Sequence, residues 1–288
     1  MRLRIKLGTY LILGLLVILV TGGCNGSAGS GTGIAFTNDQ LDPVMNQARN
    51  LKSVHFEGKM QVGDQVSANY NGTILFDRKN QFMYTMELQS GTTATPPNNP
   101  NPDNKQAANV PANNPHGNMT LMMYMNGDNY YVKDPFNKNW RSSLSDKNIA
   151  NMLDELKLQT KVSEPIYLIK GVKDSVAGLG KEIEEKNIDG KQVIIYEFPA
   201  DLNKVLSSNP YELDLGNVDP TTIKEIKYHM GIGKEDKKLY MYSMEQQIET
   251  HDKGLVKVIN TMNFSQHDAA KIELPPDLQK QIDGEKNK

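Results

Sequence analysis

The side chains that could do chemistry are few and scattered. Five histidines stand at 55, 116, 229, 251 and 267, and two of them precede an aspartate, in His251-Asp252 and His267-Asp268. Such a pair could orient an imidazole for proton transfer, but a triad also needs a nucleophile on an exposed elbow. The chain holds no Gly-x-Ser-x-Gly. Zinc asks for ligands grouped on one element, and these histidines are dispersed. Glu182, Glu184 and Glu185 could be read as the paired carboxylates of a hydrolase. Lys181 and Lys186 flank them, and Glu182 and Glu184 share one face of a strand, which fits a solvated sheet face better. Met119-Thr-Leu-Met-Met-Tyr-Met125 has four methionines in seven residues. Thioethers can bind copper, yet methionine at inward strand positions also lines adaptable apolar surface. The glycine-rich stretch 25–33 follows no strand and lacks Lys-Ser/Thr, so it reads as a flexible tether and not as a phosphate loop. These features assign no catalytic residue, no metal and no cofactor.

One cysteine, Cys24, is left, and its position is informative. Arg2, Arg4 and Lys6 precede an apolar run from Leu7 to Val20, which ends at Thr21-Gly22-Gly23-Cys24. A spanning helix needs about 20 apolar residues, so this shorter run has the layout of a secretory signal. With Cys24 committed there is no second thiol, which excludes disulfides, CxxC redox chemistry and thiolate metal sites. The chain carries 32 Lys+Arg against 34 Asp+Glu. Removing residues 1–23 takes away three positive charges and no negative ones, leaving 29 against 34. A mildly acidic protein lacks the basic footprint of a nucleic-acid binder.

The elements follow from periodicity. Leu41, Val44, Ala48 and Leu51 place a helix over 38–53. The period then changes to two: Val54, Phe56, Gly58, Met60 and Val62, next Val66 to Phe76, next Phe82, Tyr84, Met86 and Leu88. This predicts a three-stranded antiparallel meander with one buried face. Residues 89–118 contain six Pro and eight Asn in 30 positions. Such a stretch cannot bury enough apolar surface to offset its ordering entropy, so it reads as a disordered insertion between adjacent strands. Strands resume at Met119 and turn at Asn126-Gly127-Asp128. Two short one-sided helices follow, the first capped by Ser145 with Ile149, Met152, Leu153 and Leu156, the second by Ser163 with Ile166, Ile169, Val172 and Val176. Gly180–Ile188 and Lys191–Pro199 flank the turn Asp189-Gly190. A short helix at 200–208 and strands over Thr222–Ile232, Lys238–Thr250 and Leu255–Phe264 complete the pattern, with Ile272 and Leu274 closing the core. An antiparallel sheet with helices on one face is an α+β architecture.

Gly22-Gly23-Cys24 resembles the lipobox of bacterial lipoproteins, with an unusual threonine at 21. That resemblance implies diacylglycerol and palmitate on Cys24 as the new N-terminus. The globular part resembles the LolA-like superfamily of lipoprotein carriers and its Gram-positive and mycobacterial lipoprotein relatives. The similar stretches are Leu51–Phe56, Met123–Val132 through Asn139-Trp140, and Glu184–Val193 with its Ile-Asp-Gly-Lys hairpin. These are hairpin signatures without chemistry, and the Asn/Pro insertion lies outside the common pattern. The resemblance implies a strongly curved, unclosed half-barrel covered on its concave face by short helices, with room for acyl chains between. Phe56, Met60, Phe82, Tyr84, Met86, Met123 and Met125 are the candidate lining of that space; the same residues could equally be filled core.

The expected organisation is a signal peptide over 1–23, a lipidated cysteine and tether over 24–36, a single domain over 37–280 and a frayed tail over 281–288. The expected role is non-enzymatic: a lipoprotein on the extracytoplasmic face of the bacterial cytoplasmic membrane that binds a lipid or other hydrophobic ligand. The alternative is a protein-interaction module that holds or regulates a partner in the cell envelope.

Overall fold

The computed structural model describes residues 35–76, 81–88, 119–151, 161, 163–208, 222–250 and 254–286. Cys24, the tether, the Asn/Pro stretch 89–118, His116 and the His251-Asp252 pair lie outside them.

Twelve strands form one antiparallel sheet. They are β1 (Ala35–Phe36), β2 (Ser53–Val62), β3 (Gln65–Leu75), β4 (Gln81–Leu88), β5 (Met119–Asn126), β6 (Asn129–Lys133), β7 (Trp140–Ser142), β8 (Gly180–Ile188), β9 (Lys191–Pro199), β10 (Ile223–Gly233), β11 (Leu239–Thr250) and β12 (Gly254–Ser265). Their order is β1-β8-β9-β10-β11-β12-β2-β3-β4-β5-β6-β7. Two meanders are thus joined in the middle by β12 and β2, from Val258 opposite Val62 to Ser265 opposite His55. β1 and β7 are the two edges and do not pair, so the sheet is unclosed.

Turn chemistry fixes the registers. Gly63 (φ 59) and Gly127 (φ 64) each supply the first central residue of a two-residue hairpin loop, and Asp189 (φ 50) with Gly190 (φ 76) supplies both. These are the loops whose twist matches that of the strands they join. Register shifts at Met60/Gln61, Glu182/Glu184, Ile223/Glu225 and Gly231/Ile232 bend the strands. A twisted open sheet of this width curls, because beyond about ten strands it does not stay flat.

The described helices are α1 (Leu41–Arg49), α2 (Lys147–Asn151), α3 (Pro165–Ser175), α4 (Leu202–Ser208) and α5 (Pro276–Lys286); among the described residues none is long and apolar enough to cross a membrane. Topology puts three of them on one face. The chain must return from β1 at one edge to β2 in the centre, and from β7 at the other edge to β8, and α1 and α3 lie on those crossings. Leu41, Val44, Met45 and Ala48 of α1, Leu168, Ile169 and Val172 of α3, and Val205 of α4 share one buried cluster with inward residues of the sheet. The Ser175 hydroxyl donates to the Tyr228 hydroxyl oxygen at 3.2 Å, fastening the end of α3 to β10.

Three expectations need correction. The first helix stops at Arg49, because Ser53 already pairs with Leu75 in the β2–β3 ladder. The residue preceding α3 is Glu164, extended at ψ 128, and not Ser163; Pro165 takes the first helical position. The tail expected to fray from 281 is helical through Lys286. On the sheet face opposite to the other helices, Leu278 and Ile282 of α5 pack with Tyr124, Tyr131 and Trp140. Glu285 accepts hydrogen bonds from the Tyr131 hydroxyl (3.0 Å) and Ser142 Oγ (2.7 Å). Lys133 pairs with Asp277 at 2.8 Å and lies 5.5 Å from the centre of the Trp140 ring.

Candidate ligand-binding interior

The inward face is built from rows of directly opposed residues. One row runs Tyr242, Met262, Gly58, Tyr70, Met86, Leu121 across β11, β12, β2, β3, β4 and β5. The next runs Phe264, Phe56, Gly72, Tyr84, Met123, Val132. A glycine sits at the centre of each, and an aromatic ring from the adjacent strand lies on it. A Cβ on Gly58 would meet the Tyr70 ring at 2.2 Å, and one on Gly72 would meet the Phe56 ring at 2.4 Å. Phe198 covers Gly180 in the same way, at 2.3 Å. Aromatic rings laid over cross-strand glycines allow the sheet to coil while the glycine backbone stays covered. Phe56, Phe82 and Tyr84 form a stack with centroids 5.9–6.3 Å apart, and Tyr70 joins it at 6.2 Å from Tyr84.

Six of the seven residues expected to line a cavity join the buried inner cluster and Met60 is buried outside it, but they are not equivalent. Phe56, Phe82 and Met123 are 0–2% exposed, so no space of water size adjoins them and they are packed core. Met60 and Met125 are nearly as buried. Tyr84 and Met86 keep accessible surface, as do Leu121 and Met244, all four packed against the same cluster. Leu121 and Met244 were not among the expected residues. Met122 lies on the opposite face, with Met83, against α5, so the methionines of β5 do not all converge on one point.

The electrostatics of the face are distinctive. On β2–β5 and β9–β12 no inward position among the described residues carries Lys, Arg, Asp or Glu. Its polar atoms among the described residues include tyrosine hydroxyls and the amides of Asn260 and Gln246, each flanked by apolar residues two positions away. That alternation was the available sequence signal for both amides. Because residue 58 has no side chain, the Tyr70 ring reaches across β2 and its hydroxyl donates to Asn260 Oδ1 on β12, 3.1 Å from the Thr261 carbonyl oxygen. Burial, with the neighbouring Tyr84, raises the Tyr70 phenol well above its ordinary range, opposed by the Asn260 bond. Burial alone raises Tyr84 beyond the usual phenol range. Both stay neutral at any physiological pH. Gln246 is buried, and its Nε2 lies 3.5 Å from the Met244 sulfur.

At the start of α3, Glu164 has its carboxyl pushed up to about 7 by burial, with Lys161 opposing. The unfolded chain binds this proton less tightly, so the group weakens the fold as pH rises from about 4.5 to about 7. Glu164→Gln is therefore expected to match wild type near pH 4.5 and to exceed it by about 1–2 kcal/mol at pH 8, allowing for solvent screening. Thermal melts of both proteins across that range check it; a constant difference would contradict the burial of the carboxyl.

The residues weighed as catalytic are occupied elsewhere. His267 is held by Leu239 O at 2.8 Å from Nε2 and by the Tyr240 ring at 4.7 Å, and burial lowers its pKa. Burial pushes Asp268 up, but bonds from Lys238 (2.7 Å) and the Lys52 amide (2.8 Å) outweigh it and hold the carboxyl low. These contacts tie the β12 end to the start of β2. His55 bonds Thr73 (3.0 Å) and His229 meets Glu197 (3.2 Å), each on a separate part of the sheet. Glu185 pairs with Lys234 at 3.1 Å, and Glu184 lies 3.7 Å from Lys186. Among the described residues no three His, Cys, Asp or Glu side chains are grouped to hold a metal.

No family model and no curated protein matches this chain. Similar solved structures include LprF from Mycobacterium bovis, 11% identical with a TM-score of 0.45, covering 83% of this chain and 96% of that one. The Mycobacterium tuberculosis lipoprotein LppX is 13% identical with a TM-score of 0.43, covering 83% and 97%. A LolA superfamily protein from Nitrosomonas europaea is 7% identical with a TM-score of 0.24, covering 81% and 94%. These likenesses carry no argument about function, and the architecture is described by its own strand order and by the helices over one face of an unclosed sheet.

Proposed function

We propose that this protein is a lipoprotein anchored through Cys24 at the extracytoplasmic face of a bacterial cytoplasmic membrane, and that it binds a hydrophobic ligand between the sheet and its helices. One observation carries the binding reading: a broad, uncharged inner face, overlaid by short helices, retains accessible apolar surface at Tyr84, Met86, Leu121 and Met244. Ligand sites of this kind are mostly apolar and concave with few polar groups, and methionine side chains adapt to ligand shape. The anchor reading rests on the residues before Cys24. The proposed role is binding without covalent chemistry, in keeping with an inner face whose described residues are apolar side chains, tyrosines and amides.

The test has two arms. Growth with alkyne-palmitate should label wild type and leave Cys24→Ser unlabelled; equal labelling would remove the anchor assignment. The full chain in nanodiscs should take up a pyrene-labelled fatty-acid methyl ester above the level of empty nanodiscs, and uptake no greater than that background would remove the binding reading.

A further inference from the structure

Resting on the anchor reading, we infer that one rim of the sheet is a bilayer-contact surface, where Phe136, Leu179 and Leu255 enter the headgroup region of the membrane that holds Cys24. The antiparallel ladders, followed across the sheet, put all three on the same rim. Gly180 opposite Phe36, Thr250 opposite Gly254 and Lys133 opposite Trp140 are the last pairs of their ladders at that end. Leu179 precedes β8, Leu255 begins β12 beside the β11–β12 loop, and Phe136 stands in the β6–β7 loop. They are 56%, 62% and 69% exposed. Single exposed apolar side chains are ordinary. Here three of the six large ones among the described residues share a rim, spread from β8 to β7, so a flat surface can meet them together. Leu144 stands at the opposite rim, just after Ser143 bonds the Tyr130 carbonyl.

The tether points to the bilayer as the occupant. Ala35 pairs with Lys181, the second residue of β8, so the chain leaves the sheet one pair from this rim. The other rim lies past Ile188, roughly 24 Å away at the rise of a strand. Ten residues separate Cys24 from Ala35, and they reach about 40 Å at most. This rim meets the bilayer with the tether slack, the opposite one only with more than half of that reach spent. Tethering also makes a weak apolar contact intramolecular, so few side chains suffice. The chemistry beside the tips fits anionic headgroups. Lys138 and Lys181, two positions from Phe136 and Leu179, are exposed and have no acidic partner among the described residues. Such lysines hold an apolar neighbour at the interface while their heads meet lipid charge. Phe136 is also held out in advance. Asp134 Oδ1 accepts the Phe136 and Asn137 amides at 2.9 and 3.1 Å, and Asn137 Oδ1 accepts the Asn139 amide at 2.9 Å. A loop already fixed loses little entropy on contact.

The experiment makes Phe136→Cys, Leu179→Cys, Leu255→Cys and Leu144→Cys one at a time in the full lipidated chain, whose Cys24 sulfur is occupied, and labels each with a nitrobenzoxadiazole dye. Each protein is floated with vesicles of phosphatidylethanolamine and phosphatidylglycerol that carry a phospholipid with a nitroxide near its headgroup. The three rim labels should be quenched at least about two-fold more than the Leu144→Cys label, as groups at the headgroup–acyl boundary are. Phe136→Ser keeps the loop that Asp134 holds and removes only the apolar tip. Combined with Leu255→Cys, it should lower the quenching there, which mere nearness to the vesicle would leave unchanged. Equal quenching at all four sites, or quenching at Leu255→Cys that Phe136→Ser does not move, would overturn the rim contact and leave the anchor standing. A protein that does not float with the vesicles would overturn the anchor reading, and the rim contact with it.

Discussion

Gly72→Val is expected to cost about 3 kcal/mol or more of folding stability, the upper range for forcing extra volume into a packed core. The added Cβ would stand 2.4 Å from the Phe56 ring and 2.7 Å from the Met83 carbonyl oxygen. The ring could swing away only by leaving its stack with Phe82 and Tyr84. The carbonyl belongs to the β3–β4 ladder and cannot move without breaking the pairing. The same clash at Gly58 involves the Thr261 carbonyl oxygen at 2.6 Å. Gly284→Ala is the control: it lies in α5 with nothing within 4 Å of its added Cβ, and should gain about 0.5–1 kcal/mol from lost chain entropy. Urea unfolding followed by circular dichroism reads both. A Gly72→Val midpoint equal to wild type would mean that Phe56 does not lie over this glycine.

The second large effect separates core from lining. Met86 keeps accessible surface on the inner face, whereas Phe82 on the same strand is 1% exposed. Met86→Trp should extend into the ligand space, lower methyl-ester probe affinity at least ten-fold and change stability by less than about 1 kcal/mol. Phe82→Trp should do the reverse, because overfilling a closed core costs about 1–3 kcal/mol and the ligand space is not reached. Probe titration and urea unfolding on the two variants give four numbers. If Met86→Trp unfolds the protein as readily as Phe82→Trp and binding is untouched, the interior is solid at Met86 as well, and the binding site lies elsewhere.

Much of this was legible in the sequence because it is encoded locally. Asp189-Gly190, Gly127-Asp128 and Gly63 specify their hairpins through backbone angles that few residues adopt. Alternation groups Phe56, Phe82, Tyr84, Met86, Met123 and Met125, which the structure brings into one cluster. What alternation cannot supply is the third dimension. Whether a given inward residue ends as core or lining depends on which helix crosses above it, and that depends on the strand order. The central β12–β2 pairing joins residues about 200 positions apart, and no short-range signal marks it.

The C-terminal helix was missed for a different reason. Pro276 takes the first helical position, where proline starts helices. Asp277 in the first turn, Leu278 and Ile282 four residues apart, and Lys286 in the last turn obey the same helix rules. The segment is short and polar, so its stability comes from the apolar seat that Tyr124, Tyr131 and Trp140 offer. Asn260 and Gln246 interrupt an apolar alternation, and the strand register shows both on the inward positions of their strands.

The most direct test of hydrophobic-ligand binding is lipid mass spectrometry on the purified full chain, extracted with organic solvent after exhaustive washing, beside an equally treated Met86→Trp variant. Wild type should carry a lipid in near one-to-one ratio to protein, beyond the lipid covalently held at Cys24, and Met86→Trp should carry less than a tenth of it. Equal amounts in both, or none in either, would contradict a ligand site at this face of the sheet.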